Sequence, residues 1–182
     1  MKPTLLLIFT VVLTLLIVVC GGNDLKVPNI SILDAISEGN VLVVKQHMEA
    51  GTNPDKSFVP TEYPLAGASA LHLAVFSNNK EIVQLLLDNG ADKNIKANDQ
   101  PGGTPLQWAA FWGIRGMTEF MVNAGAEINA KDNNGCTPLC ASNLHNPYIK
   151  EKDMETFRKN RPAIQAFLKS KGGIDLNDFR LR

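Results

Sequence analysis

Apolar positions along this chain fall into short stripes that recur at a fixed step. Residues 68–91 and 103–126 carry two clear copies, and residues 29–51 carry a weaker one. In each copy an opening leucine or isoleucine (Ile32, Leu71, Leu106) lies nineteen residues before a closing glycine (Gly51, Gly90, Gly125). Repetition on this scale marks one supersecondary unit used several times. Within a unit, one apolar stripe is followed by a break and a second stripe, which predicts two short antiparallel helices. Thr104 and Thr137 are placed to cap the first helix, and Pro105 and Pro138 stand in its first turn, where a missing N–H costs nothing. Gly39, Asn78 and Gly113 occupy the break, where a left-handed backbone is needed. The second helix, as in residues 81–88, carries Ile82, Val83, Leu85, Leu86 and Leu87. That is too apolar for a lone surface helix, so a neighbouring unit must bury it.

The segments Thr104–Ala109, Thr137–Ala141 and 81–91 (EIVQLLLDNGA) resemble the ankyrin repeat. The steps agree: Leu71 to Leu106 is thirty-five residues and Leu106 to Leu139 thirty-three, against about 33 for that family. The resemblance implies an all-α solenoid of about four helix-turn-helix repeats, joined by β-turn-like loops, and an N-terminal signal helix is expected ahead of it. The repeats are expected at 29–61, 68–100, 103–134 and 135–174, with a tail at 175–182. The end units depart from the pattern, as terminal units of a stack should. Gln46 and His47 stand where interior units have Leu85–Leu86 and Phe120–Met121, which reads as a polar N-terminal cap. The last unit has an insert of about fourteen residues, taken as 146–161, between its helices; it opens with Asn146–Pro147 and contains a charged run over 150–161. This unit reads as an altered C-terminal cap, and the run as a solvated helix or loop, with a docking site as the alternative.

Ahead of the repeats, Lys2 precedes an unbroken apolar stretch, residues 5–19, that ends at Cys20-Gly21-Gly22. Charge, length and exit residues are those of a secretory signal peptide over 1–22, leaving 23–28 as a tether. The exit resembles that of bacterial lipoproteins, which implies lipidation at Cys20. Val19 departs from the small residue expected there. Ordinary cleavage after Gly21 or Gly22 is the competing reading, and an uncleaved anchor a third. The expectation is an exported protein of the cell envelope, alternatively a secreted one.

Eighteen basic residues balance eighteen acidic ones, and no concentrated basic face is evident. A nucleic-acid partner would need one. Catalysis, a cofactor and a metal are not expected. His47, His72 and His145 fall in separate repeats without zinc-ligand spacing. Gly102–Gly103 lacks the lysine of a phosphate loop, and Asp92–Asn94 and Asp132–Asn134 read as turn formers rather than calcium ligands. His72 is expected to hydrogen-bond within or between turns. Cys136 and Cys140 stand four apart. They are read either as an exposed turn thiol and a half-buried helix thiol, or as a disulfide, the latter with a thiol-redox role as an alternative function.

Recognition of a protein partner by a monomer is what remains. The resemblance implies a concave binding face made by loop tips and by exposed positions on the first helices. The corresponding positions are Phe76 and Ser77, Phe111 and Trp112, Asn143 and Leu144, with Asn133 and Asn134 at a loop tip. Aromatic residues there suit binding hot spots, although the rings would also serve to cover the groove between helices and loops. The longest connection, from Gly51 to Leu71, carries Phe58, Val59, Pro60, Tyr63 and Pro64, and is expected to fold back on the stack.

Overall fold

A computed structural model describes residues 26–175. The leader over 1–22, its Cys20 and most of the tail at 175–182 lie outside the described residues.

Eight α-helices form four pairs among the described residues: α1 (Ile32–Ser37) with α2 (Val41–Glu49), α3 (Ala70–Phe76) with α4 (Lys80–Asp88), α5 (Pro105–Phe111) with α6 (Arg115–Asn123), and α7 (Pro138–Asn143) with α8 (Met154–Ser170). The first helices pack in a row, α1 on α3, α3 on α5 and α5 on α7. Among the described residues no strand forms; extended pairing is confined to a bridge between Phe58 and Ser69. The fold is an all-α repeat solenoid. No described helix is long and apolar enough to cross a membrane.

The starts of the helices follow from the caps. Thr104 Oγ1 accepts from Gln107 N–H while Gln107 Oε1 accepts from Thr104 N–H, a reciprocal box, and Ser69 with His72 builds the same device in the second repeat. Thr137 caps α7 by accepting from Cys140 N–H. Between helices, Gly39 and Gly113 take φ of +70° and +69°, and Asn78 takes +54°. Glycine at Gly113 is required twice over, since a Cβ there would come within 2.5 Å of the Phe157 ring.

Burial runs along the stack rather than into one centre. Ile36, Leu71, Ile82, Leu86, Leu106, Met117, Met121, Leu139, Ile164 and Leu168 are all enclosed, drawn from every repeat. Side chains also tie each repeat to the next. Asp55 accepts from Asp92 N–H, Asn94 from Glu127 N–H and Asn129 from Ile174 N–H. Sequence reading treated Asp92–Asn94 and Asp132–Asn134 as turn formers. Asp92 and Asp132 do accept from Asn94 and Asn134 N–H, but Asn94 also serves the next repeat.

Two expectations about the end units need correction. His47 is no part of a polar outer face: it is buried, with Nε2 2.8 Å from Ile30 O and Nδ1 3.1 Å from Thr52 Oγ1, and so pins the strand of chain before α1 to the turn after α2. Nor is 146–161 wholly an insert between helices. Its second half is helical, because α8 begins at Met154 and runs seventeen residues with Pro162 inside it. The added helical turns place Phe157 against Gly113 and let Asn160 Nδ2 donate to Gly113 O, so the extension covers the open side of the third repeat. The long first connection divides: Val59 and Leu65 pack on the core, whereas Tyr63 stays exposed.

Candidate functional site

Six of the eight sequence positions proposed for recognition lie where the first helices end. Ser77, Trp112 and Leu144 are the C-terminal cap residues of α3, α5 and α7. Phe76 stands edge-on to Trp112 with centroids 4.9 Å apart, and Phe111 stands edge-on to the same ring at 5.6 Å. Tyr148 continues the row at 6.1 Å from Trp112. The aromatic rows of three repeats therefore meet in one strip. Phe76 is 36% exposed, Leu144 46% and Tyr148 71%, while Phe111 and Trp112 are half-buried by their neighbours. The rings cover one another and still leave an open apolar surface.

Sequence reasoning missed Tyr148, which follows the Asn146–Pro147 breaker in a segment treated as insert. Asn146 places it: Nδ2 donates to Phe111 O and Oδ1 accepts from Tyr148 N–H, so the segment is fastened beside α5. Asn143 does not join the strip. Counting from Leu139 as from Leu106, Leu144 matches Phe111 and His145 matches Trp112, so Asn143 falls one residue early. Its amide instead donates to Asp175 Oδ2 and accepts from Gln165 Nε2. Asn133 and Asn134 are exposed at a loop tip on the other end of the first helices. Asn133 donates to Gln100 O and lies near Lys96, next to the N-terminal end of α5. A seven-residue helix is about 10 Å long, which keeps this tip apart from the aromatic strip.

Behind the strip, the residues that resemble catalytic or ligand groups are occupied with structure. His72 is fully buried; Nδ1 accepts from Ser69 N–H and Nε2 lies 2.9 Å from Gly103 O in the next repeat. Those partners require the Nε2–H tautomer. Burial lowers its pKa from 6.5 to about 4, against an opposing contribution from the Gly103 carbonyl. Gln107, one repeat on, donates from Nε2 to Cys136 O at 2.6 Å. Cys140 occupies the same place in the last repeat, and it is joined to Cys136 by a disulfide with Cα atoms 5.4 Å apart. Among the described residues no group of three or more His, Cys, Asp or Glu side chains is placed to share a metal ion.

A cleft of about 430 Å³ opens beside α8, lined in part by His145, Met154, Phe157, Arg158, Arg161 and Pro162. It adjoins the strip through the 145–148 segment.

Comparison with known proteins decides the family. The family described as "Ankyrin repeats (3 copies)" matches residues 13–97 and 32–132. The chain belongs to the ankyrin-repeat family. It is also similar to protein phosphatase 1 regulatory subunit 27 of Mus musculus, with 34% identity over 132 residues, 72% of this chain and 79% of the relative. The human protein of the same name is likewise 34% identical over 132 residues. The probable 26S proteasome regulatory subunit p28 of Saccharomyces cerevisiae is 35% identical over 106 residues, 58% of this chain and 44% of that one. Ankyrin repeats are protein-interaction modules, and the relatives are named as regulatory subunits.

Proposed function

We propose that this ankyrin-repeat chain is a non-catalytic module that binds one protein partner across the strip of Phe76, Phe111, Trp112 and Tyr148, flanked by Ser77 and Leu144. The observation that carries this reading is the edge-to-face meeting of aromatic rings from three repeats at a surface left partly open. Rigid aromatic groups on a stiff scaffold lose little entropy on binding and are the side chains most enriched at interface hot spots. That two relatives are named as regulatory subunits supports action by contact rather than by catalysis.

The proposal includes export and retention at a membrane, through Cys20 if it is lipidated and through the apolar stretch 5–19 if that is not removed. Two features support it: the charged start and glycine exit of the leader, and a disulfide at Cys136–Cys140, since disulfides persist mainly in oxidising compartments. The mass of the N-terminal peptide of the protein purified from its own cells separates the fates. Diacylation at Cys20 means retention, and a start after Gly22 means release to act on another cell.

Affinity purification from envelope extracts, comparing the native chain with a Phe111→Ser, Trp112→Ser double variant that folds equally well by circular dichroism, tests the binding reading. A partner retained by the native chain and lost by the variant is the expected result. Equal recovery with both removes the strip as the binding surface, and loss of binding on replacing both Cys136 and Cys140 by serine would favour a thiol-dependent role.

A further inference from the structure

The cleft beside α8 differs from the strip in its chemistry. Met154, Phe157 and Pro162 give it an apolar floor, Arg158, Arg161 and His145 supply its polar edge, and no carboxylate lines it. Arg161 is held in place: Nε donates to Ser142 O, Nη2 donates to Leu144 O at 2.9 Å, and the guanidinium lies 5.6 Å from the Phe157 ring centroid. Neither arginine pairs with a carboxylate among the described residues, where the ion pairs are Lys45–Glu49 and Arg115–Glu119. A guanidinium fixed by two carbonyls keeps its other N–H groups in a planar fork, the geometry that matches a carboxylate. Because it is already immobilised, less entropy is lost when an anion arrives.

We infer that this cleft is the charged half of the recognition site, and that the partner segment is a peptide in which an Asp or Glu carboxylate neighbours a large apolar side chain. The inference rests on the protein-binding reading above and narrows it. The apolar side chain lies on the strip or the cleft floor, and the carboxylate meets Arg158 and Arg161. Asn146, bonded to both Phe111 and Tyr148 while lining the cleft, holds the two halves in fixed relation. Charge complementarity decides the occupant: a basic segment would meet two unpaired guanidinium groups at this edge, and like charges brought together on binding oppose association.

The test is selection of a random peptide library on the full chain held in mild detergent, followed by fluorescence anisotropy of the selected peptides. Arg158→Glu is the variant, because Arg158 is exposed and makes no hydrogen bond within the described residues. Trp112→Ser is the control for the strip. The expected outcome is enrichment of Asp or Glu beside aromatic or large aliphatic residues, with affinity reduced about tenfold by Arg158→Glu and falling as salt is raised. Peptides that depend on Trp112 but carry no acidic excess and ignore Arg158→Glu would overturn the inference and leave the strip as the binding surface. Selected peptides indifferent to both variants, or no selected peptide at all, would overturn both readings.

Discussion

The third repeat and the fourth open alike, with Thr104-Pro105-Leu106 in one and Thr137-Pro138-Leu139 in the other, but the next residue is Gln107 in the third and Cys140 in the fourth. Gln107 reaches forward to the Cys136 carbonyl of the following repeat, as His72 reaches forward to Gly103. Cys140 has no following repeat among the described residues, and its bond turns back to Cys136. The second helices differ in the same sense: α6 has nine residues and α8 seventeen, the surplus lying over the third repeat. An interior repeat is held by its neighbours on both sides. The last described repeat has a neighbour on one side among the described residues and adds a covalent loop and a longer helix.

The comparison is broken most severely in the core. Leu86→Ala, between repeats, is expected to cost about 4 kcal/mol, and Ile164→Ala in the last described repeat about 3 kcal/mol, because a repeat packed on one described neighbour is freer to collapse around the cavity. Urea denaturation measures both; an equal or reversed order would mean that the terminal repeat is packed as rigidly as the interior. His72 comes next. The unfolded chain takes up a proton near pH 6.5 that the folded chain refuses until about pH 4, so stability rises with pH across that window. About 3 kcal/mol is lost on acidification through it. His72→Gln, which copies the third repeat, should flatten this slope in pH-dependent denaturation while leaving stability at pH 7 within about 1 kcal/mol; an unchanged slope would place the titrating group elsewhere.

A smaller effect is expected at the disulfide. Closing so short a loop stabilises by about 2 kcal/mol in the chain-entropy account. Cys136→Ser with Cys140→Ser should therefore lower the thermal midpoint, and reductant should do the same to the native chain but not to the variant. An unaffected midpoint would mean that α8 alone closes the stack. Least costly is Tyr148→Ala, at below about 0.5 kcal/mol for so exposed a ring, although it removes the end of the aromatic strip. A larger loss in calorimetry would show the strip to be part of the packing rather than an open surface.

Much of the fold was legible because the repeat states it several times. The nineteen-residue spacing, the threonine caps and the breaks at Gly39, Asn78 and Gly113 are local signals, and each is met by a local conformation. The geometry of the candidate site was legible in part. Phe76, Phe111 and Trp112 follow from register, but Tyr148 sits in an irregular segment with no register to count from, and Asn143 was displaced by one residue because Ala141 stands one position nearer its opening leucine than Ala74 and Ala109 do. His47 misled for a related reason: a polar residue type suggests solvent, whereas the Ile30 carbonyl and Thr52 hydroxyl satisfy it in the interior.

Sequence alone determined the repeat unit, its number of helices, their capping and the faces that must be buried, since these depend on residues within one turn or one period of each other. Only the tertiary structure decided which way α8 extends and that rings from three repeats meet at one surface beside an arginine-edged cleft. Those outcomes depend on contacts between residues about thirty or more apart, such as Asn146 with Phe111 and Asn160 with Gly113. No local propensity encodes such contacts; they form only when the repeats stack.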